Sequence, residues 1–386
     1  MTENEKNALL PAGLRDVLPS DAAFEAKIVE QIVAFFGQNG YDRVKAPLIE
    51  FEDGLLSGAG VALAPQTFRL MDPVSQRMMG VRADITPQIA RIARTRLGRA
   101  PRPLRLSYAG EVLRVRGSQL RPERQILQVG AELIGSASPS ADTEIIELAA
   151  DAIGALGISD FSVDLTVPRL VPSILGQYGL SDDDVVAVRA ALDRKDPEAV
   201  KSVAGEATET LAALLEATGA VDNALEQLKA LTLPETAHVE RERLEVVVAR
   251  LRRDAPDLCL TLDPVENRGF EYHTGIGFTI FARGISGELA RGGRYRVQGN
   301  VDDDAGERAT GVTLYVDTIL GMLSKTEDIR RILVPNSTSR DVKSDLQSEG
   351  WVTVSALDDQ ADLALEAHQL ACSHFLGETG PEPVKG

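Results

Sequence analysis

The chain has 386 residues, of which 44% are apolar, and its formal net charge is −17 at pH 7. This length and apolar content suit two or three globular domains, each with its own core. The acidic balance argues against a general nucleic-acid binder, because neutralisation of phosphate supplies most nonspecific affinity. The first ten residues contain no basic and apolar signal segment, and no apolar run approaches the roughly 20 residues that span a bilayer, so we expect a cytoplasmic protein without a membrane partner.

The first predicted elements are a helix and a strand. After the capping sequence Pro19-Ser20-Asp21, apolar residues recur at helical spacing from Phe24 to Phe36, and glycines at 37 and 40 end the helix. Residues 40–50 are then predicted to form a strand. Such a pair either packs on a sheet in the ordinary way or builds a subunit interface, and the pattern leaves both possibilities open.

The middle of the chain predicts short strands at 67–71 and 77–81, a helix from Thr86, and three strands between residues 104 and 135. The third of these strands alternates clearly. Apolar side chains at 127, 129, 131 and 133 fall on one face, and Gln128, Gly130 and Glu132 on the other. The first face therefore packs on the core, and the second can hold a ligand.

Glu132 needs a partner, because a buried carboxylate is costly unless a cation or a hydrogen-bond donor meets it. Arg114 lies on an earlier strand and would satisfy it as a buried ion pair. Alternatively, Glu132 and Gln128 receive a polar ligand, with Gly130 leaving room for its close approach. The pattern does not decide between these interpretations.

The second half alternates helical and strand-rich stretches. A helix at 141–156 is predicted to cover the sheet, and residues 167–254, rich in alanine, leucine and acids, form a helical insertion. The sheet then resumes, and a short tail follows residue 325. The predicted strands and helices of this part are 258–262, 276–281, 287–290, a closing helix from near Gly311, and in the tail a strand at 332–335, a helix at 341–347, a strand at 351–355 and a helix at 360–375.

The charge is unevenly distributed. Residues 82–124 contain 11 arginines, no lysine and 3 acids, a local balance of +8 that leaves −25 for the rest of the chain. This segment either meets an anion or an acidic partner surface, or forms a solvated face with intramolecular ion pairs.

Cysteine and histidine give little indication of chemistry. Cys259 and Cys372 are predicted to be small buried hydrophobic residues and not a disulfide. His368, Cys372 and His374 lack a fourth ligand at a suitable spacing, so no metal site is predicted.

Four separated segments resemble the amino-acid pocket of histidyl-tRNA synthetase, a class II aminoacyl-tRNA synthetase. They are Arg-Ala-Asp-Ile-Thr at 82–86, the motif 2 segment from 108–114 through 128–135, Arg-Gly-Phe-Glu-Tyr-His-Thr-Gly at 268–275 and Ala-Arg-Gly-Gly-Arg-Tyr at 290–295. By position, this resemblance implies that histidine is bound by Asp84, Thr86, Arg114, Gln128, Glu132, Arg268, Tyr272, His273 and Tyr295.

The chemistry of these residues suits histidine. Its carboxylate matches an arginine, its ammonium an acid, and its imidazole nitrogens an acid or an amide. His273 stands where synthetases usually have tyrosine. Another small amino acid as the ligand, or no ligand, therefore remains open.

The same resemblance shows departures at the ATP site. Arg116 replaces an acid of motif 2, Pro122 stands where synthetases place a phosphate-contacting arginine, and Thr318 replaces the arginine of motif 3. Loss of one group that stabilises charge on the transferred phosphates commonly costs about 10²-fold or more in rate. The departures imply that the chain forms no adenylate.

A synthetase-like body with a defective ATP site resembles the regulatory subunits of short-form ATP phosphoribosyltransferase, over about residues 10–323. This resemblance implies an α+β fold with a class II aminoacyl-tRNA synthetase-like core, whose mostly antiparallel sheet is flanked by helices. The core would comprise 1–166 and 255–324, the helical insertion 167–254, and the short α/β tail 325–386, interpreted as a truncated anticodon-binding-like domain.

The resemblance also implies a role without intrinsic catalysis. The chain would self-dimerise through the first helix and strand, join the short catalytic subunit in a hetero-octamer, activate it, and mediate feedback inhibition by L-histidine of the first step of histidine biosynthesis. No cofactor is expected on this chain, because magnesium, ATP and phosphoribosyl pyrophosphate would bind the catalytic partner. Histidine would occupy the synthetase-like pocket or a subunit interface.

Five arginines are candidate contacts with the catalytic subunit: Arg94, Arg96, Arg99, Arg102 and Arg105. Two other functions remain as alternatives. One is an active histidyl-tRNA synthetase, and the other is a stand-alone amino-acid sensor related to it.

Overall fold

A computed structural model describes residues 9–117, 122–267, 272–297, 306–324, 329–358 and 362–384. The chain divides into two compact units, Met1–Leu323 and Ser324–Gly386. Among the described residues, the first unit contains a nine-stranded and a three-stranded sheet, and the second unit contains a four-stranded sheet.

The strands of the first unit come from both halves of the chain. They are β1 (Asp42–Arg43), β2 (Ile49–Phe51), β3 (Arg69–Met71), β4 (Met78–Val81), β5 (Leu104–Leu113), β6 (Gln125–Ile134), β7 (Phe161–Thr166), β8 (Gly219–Ala220), β9 (Leu260–Asp263), β10 (Gly277–Ala282), β11 (Ala290–Val297) and β12 (Glu307–Tyr315). The large sheet has the order β1-β5-β6-β12-β11-β10-β7-β9-β8, and the small sheet has the order β2-β4-β3. In the large sheet only the pairs β1–β5 and β7–β9 are parallel.

Helices cover the sheet and form the insertion. They are α1 (Pro19–Gln38), α2 (Glu52–Leu55), α3 (Thr86–Thr95), α4 (Pro139–Ala155), α5 (Leu170–Leu175), α6 (Asp182–Asp193), α7 (Pro197–Val203), α8 (Thr208–Glu216), α9 (Val221–Ala230), α10 (Glu235–Asp254) and α11 (Val316–Met322), with 3₁₀ turns at Gly58–Gln66 and Gly205–Ala207. This arrangement confirms the predicted α+β class, with a mostly antiparallel sheet flanked by helices.

Alternation along β6 determines what each face of the large sheet contacts. Val129, Ala131 and Leu133 are buried in the main core with the apolar stripes of α1 and α4. The polar side chains at 128 and 132 point to the opposite face. Both outcomes follow from the sequence pattern, which therefore predicted correctly which side of β6 packs on the core.

The helical insertion packs directly on the core. Buried side chains of α6, α8 and α10, such as Leu192, Leu211 and Leu244, belong to the same apolar cluster as Leu165 of β7. Since the cluster is continuous, the insertion shares its hydrophobic core with the sheet. The predicted boundaries of the insertion remain a prediction.

Several element predictions were wrong. The described residues between 104 and 135 form two long strands, β5 and β6, and not three. The closing helix begins at Val316, because residues 307–315 pair as a strand with both β11 and β6. The strand predicted at 287–290 runs instead from Ala290 to Val297, which places the Arg-Gly-Gly-Arg-Tyr sequence inside the sheet.

The second unit consists of β13 (Arg331–Val334), α12 (Arg340–Ser348), β14 (Val352–Ser355), α13 (Leu363–Gln369), β15 (His374–Gly377) and β16 (Gly380–Pro383). Its strands have the order β14-β13-β15-β16. The helix predicted to extend to residue 375 ends at Gln369, because His374 and Phe375 pair with β13. At Ala371 the backbone adopts a left-handed conformation with φ of 51°, which is incompatible with a continuing helix.

Both cysteines are free. Cys372 is buried as predicted, whereas Cys259 is exposed, so the prediction of burial was wrong for Cys259. Within the described parts of the chain, no group of three or more His, Cys, Asp or Glu residues could hold a metal ion. A search of those same parts finds no helix long and apolar enough to cross a membrane.

Candidate amino-acid pocket

The polar face of three neighbouring strands forms the floor of the candidate pocket. β6 contributes Glu132, which lies directly opposite Gly311 of β12. A Cβ atom at Gly311 would lie 1.7 Å from Glu132 Oε2. Only glycine therefore leaves room for the carboxyl group to lie flat across β12 towards β11.

Glu132 is 1% exposed, and its carboxyl group is contacted by a hydrogen-bond donor and not by a cation. The hydroxyl of Tyr295 on β11 donates to Glu132 Oε2 at 2.9 Å. Burial, with a smaller effect of the nearby Asp84 carboxylate, raises the pKa of Glu132 to about 8, although hydrogen bonds from Tyr295, Thr86 and Tyr108 act to lower it. The carboxyl group is therefore mainly protonated at neutral pH, and the alternative in which Glu132 forms a buried ion pair with Arg114 is wrong.

Gln128 orients the loop before α3. Its Nε2 donates to Asp84 Oδ2 at 2.8 Å, and its Oε1 accepts from the Ile85 amide at 3.2 Å. Asp84 Oδ1 accepts from the amide of Thr86 at 2.9 Å. Because Gln128 is completely buried and engaged at both ends of its amide, its role in this structure is to hold Asp84 in place.

The mouth of the pocket carries one charge of each sign. Arg114 Nη2 lies 4.0 Å from Asp84 Oδ2, and both side chains are partly exposed. Arg114 Nε also donates to the carbonyl oxygen of Ala83 at 3.3 Å. A loosely separated carboxylate and guanidinium match the ammonium and carboxylate groups of a free amino acid.

Aromatic rings line one side of the pocket. The rings of Tyr272 and His273 lie 4.2 Å apart, and those of Tyr272 and Tyr295 meet edge to face at 6.2 Å. His273 is buried. Burial keeps the pKa of both tyrosine hydroxyls well above the ordinary value, so both remain protonated. Arg268, the remaining predicted member, lies outside the described residues.

The sequence did not identify Tyr108 and Thr313 as pocket residues. Their hydroxyl oxygens lie 2.8 Å apart, and the Tyr108 hydroxyl lies 3.3 Å from Thr86 Oγ1. The Tyr108 ring also fills the space above Gly130, where a Cβ atom would lie 2.3 Å from the ring. The predicted room at Gly130 is therefore taken by Tyr108 and not by a ligand.

The start of α11 carries an acid, Asp317, whose carboxylate is already bonded to other groups of the chain. Asp317 Oδ2 accepts from the Leu127 amide at 3.1 Å, and Asp317 Oδ1 pairs with Arg15 at 3.2 Å. Burial raises the pKa of Glu25, and the nearby Asp317 raises it further. Thr318 is buried. The start of α11 therefore carries an acid that is already bonded to Arg15 and to the backbone, followed by an uncharged threonine.

The five predicted partner-contact arginines divide into two groups. Arg94, Arg96 and Arg99 are exposed at the end of α3 and just after it, and the ion pairs of the described residues do not include them. Arg102 instead pairs with Glu307 and donates to carbonyl groups of the α3 C-terminal region, and Arg105 pairs with Glu144 through two hydrogen bonds of 2.6 and 2.8 Å. The first group is available to a partner, whereas the second is engaged within the chain.

Comparison with known proteins shows the family of this chain. A family model described as histidyl-tRNA synthetase matches residues 13–319. A protein of Paramagnetospirillum magneticum named ATP phosphoribosyltransferase regulatory subunit is 53% identical over 380 residues, which cover 98% of this chain and 99% of the relative. The chain belongs to the ATP phosphoribosyltransferase regulatory subunit family.

Solved structures show the same fold. A structure from Bacillus halodurans, described as an ATP phosphoribosyltransferase regulatory subunit/histidyl-tRNA synthetase, matches with a TM-score of 0.81 and 24% identity over 94% of this chain and 96% of that chain. A chain of the ATP phosphoribosyl transferase complex from Thermotoga maritima matches with a TM-score of 0.59 and 18% identity over 76% of this chain and 97% of that chain. At these identities the matches support the class II synthetase-like architecture of this regulatory subunit family.

Proposed function

We propose that this regulatory subunit catalyses no reaction itself. It activates a short ATP phosphoribosyltransferase catalytic subunit in the cytoplasm and mediates inhibition of that enzyme by L-histidine. The observation that carries the proposal is the intact cluster around Glu132 and Asp84 beside an acidic, occupied α11 start. A protein that recognises an amino acid without activating it needs such a cluster but does not need a functional ATP site. Magnesium, ATP and phosphoribosyl pyrophosphate would then bind the catalytic partner.

The pocket offers a group for each part of histidine. Arg114 and Asp84 at the mouth suit the carboxylate and the ammonium, and the wall formed by Tyr272 and Tyr295 suits a flat ring. Glu132, as a protonated carboxyl group or as a carboxylate, can hydrogen-bond an imidazole nitrogen. These residues support binding of histidine in the synthetase-like pocket, in preference to a subunit interface.

Self-association is part of the proposal. Exposed apolar side chains cluster near the predicted interface, including Leu48, Ile49 and Phe51 around β2 and Met78 on β4. A groove of about 710 Å³ beside them is lined by residues of β2, β4 and α3. Such a patch is typical of a protein interface, and we assign it to a second copy of this chain within a hetero-octamer.

The decisive experiment mixes the purified chain with a short catalytic subunit. We expect one large complex, whose phosphoribosyl transfer is faster than that of the catalytic subunit alone and falls when L-histidine is added. A coupling of about 1 to 3 kcal/mol corresponds to a 5- to 150-fold change in the affinity of the complex for substrate or histidine. The proposal would be refuted if the two chains did not associate, or if the transfer rate changed neither on addition of this chain nor on addition of L-histidine.

Two variants separate the site from the scaffold. Asp84→Asn removes the acid that faces Arg114 and should weaken inhibition by histidine about tenfold or more while the complex still assembles. Asp160→Asn, on an exposed ion pair with Arg283 outside the pocket, should leave the inhibition curve unchanged. Histidine-dependent exchange of pyrophosphate into ATP by the chain alone would instead indicate an active synthetase.

A further inference from the structure

A buried carboxylate, Asp142, ties the pocket strands together at one end. It lies in the first turn of α4 and is 1% exposed. Its Oδ1 accepts from Arg294 Nε at 2.8 Å and from Thr310 Oγ1 at 2.9 Å, and its Oδ2 accepts from Arg243 Nε at 3.3 Å. One carboxylate therefore collects donors from β11, β12 and α10.

The loop that follows β6 is held by the same two arginines. Arg294 donates to the carbonyl oxygens of Ser136 and Ser138, each at 2.8 Å. Arg243 donates to the carbonyl oxygen of Ala137 between them at 2.5 Å. Because β6 ends at this loop, all three strands that form the pocket floor meet at the contacts around Asp142.

Arg294 is directly connected to the pocket wall. Its guanidinium group is completely buried, and its neighbour in the chain is Tyr295. Its backbone amide donates to the Ile276 carbonyl at 2.9 Å, and its carbonyl accepts from the Thr274 amide at 2.8 Å. These two bonds hold the backbone next to His273, so a displacement of Arg294 would move Tyr295 and His273 together.

Arg243 brings the helical insertion into this arrangement, because it lies on α10. We propose that Arg243 and Asp142 are positioning residues through which the position of the helical insertion sets the affinity of the amino-acid pocket. The identity of the ligand rests on the proposed function, whereas the mechanical link does not. Removal of Arg243 leaves the buried Asp142–Arg294 pair balanced in charge, so the fold should persist.

Arg243→Met tests the link, with Arg252→Met as the matched control. Both arginines lie on α10 and are partly buried, but Arg252 pairs with Asp222 of α9 at 2.9 Å and donates to the carbonyl oxygen of Leu258 at 3.0 Å, and neither of these partners belongs to β6, β11, β12 or the loop after β6. We expect Arg243→Met to weaken binding of L-histidine to the isolated chain about fivefold or more, measured by titration calorimetry. Arg252→Met should lower the thermal midpoint while leaving that affinity within about twofold of wild type.

Amide hydrogen exchange gives a second readout that does not depend on histidine. Exchange in residues 290–297 should be faster in Arg243→Met and unchanged in Arg252→Met, because only Arg243 reaches the loop after β6. Equal exchange and equal affinity in the two variants would overturn the inference. If the wild-type chain bound no histidine while exchange increased in Arg243→Met alone, the link would stand and the proposed ligand would fail.

Discussion

Glu132 combines full burial, a tyrosine donor and a carboxyl group that keeps its proton near neutral pH. Burial costs the ionised form more than the protonated form, and the hydrogen bonds from Tyr295, Thr86 and Tyr108 offset only part of that cost. The proton on Glu132 therefore connects the pocket to pH in two ways, one through folding and one through binding.

The folding effect is tested with Glu132→Gln. The pKa of Glu132 is about 8 in the folded chain and near 4.5 when unperturbed, so between these values the unfolded state holds fewer protons and wild-type stability falls as pH rises. Glutamine does not titrate, so the variant lacks this fall in stability, which is at most about 5 kcal/mol at 1.36 kcal/mol per pKa unit. Urea unfolding of both proteins at pH 5 and pH 8 should show that the free energy of unfolding falls less between these pH values for Glu132→Gln than for wild type. Equal losses would contradict the shifted pKa.

The binding effect appears as proton release. Because the charge of Asp84 already acts on Glu132, the ammonium group of histidine bound at Asp84 should lower the pKa of Glu132, and binding at pH 7 should expel part of a proton. Calorimetric titrations in two buffers of different ionisation enthalpy should give different observed heats for wild type and nearly equal heats for Glu132→Gln. Identical heats in both buffers for wild type would place the cationic group away from Glu132.

At the scale of elements, the closeness of β6 and β12 shapes the pocket. Gly311 is the position where the two strands leave least space, because the Glu132 carboxyl group lies directly over it. The strand pairing and the pocket therefore depend on the same contact.

Gly311→Ala should be destabilising by roughly 1–3 kcal/mol or more, because the new methyl group overlaps Glu132. It should also abolish histidine binding by displacing the carboxyl group. Gly154→Ala in α4 is the control: a Cβ atom there meets nothing within 4 Å, and alanine favours a helix over glycine by up to about 1 kcal/mol. Chemical denaturation of both variants measures the contrast, and a neutral Gly311→Ala would mean that β12 can shift.

Sequence patterns predicted individual strands and helices better than the contacts between them. The alternation at 127–133 identified the side of β6 that packs on the core, because side chains along a strand alternate between its two faces. It could not predict that Tyr108 covers Gly130 or that Tyr295 meets Glu132, since both contacts depend on register between distant strands. The helix predicted from Gly311 was wrong for the same reason: long-range pairing fixes those residues as a strand.

At the scale of the whole molecule, the distribution of charge along the chain sets one basic segment apart from an acidic remainder. The segment 82–124 carries a balance of +8 in a chain of net charge −17. Part of this charge is neutralised internally by pairs such as Arg105 with Glu144, so the ion-pair interpretation is correct for that part. Exposed Arg94 and Arg99 remain available for an acidic partner surface.

Association with the catalytic subunit should depend on this surface. Combined Arg94→Gln and Arg99→Gln should weaken the complex by slowing association, and should reduce the loss of affinity on raising the salt concentration. Combined Arg253→Gln and Arg283→Gln, which alter two other exposed arginines, should change neither property. Association rates from surface plasmon resonance at 50 and 300 mM salt would show the difference. Equal behaviour of the two double variants would assign the contact to another surface.

The bonds of Asp317 limit what a single substitution at position 318 could achieve. An arginine in place of Thr318 would lie beside a carboxylate already engaged by Arg15 and by the Leu127 amide. The new guanidinium group would be attracted to that acid as well as to a phosphate. A phosphate-binding site at the start of α11 would therefore require further substitutions around Asp317.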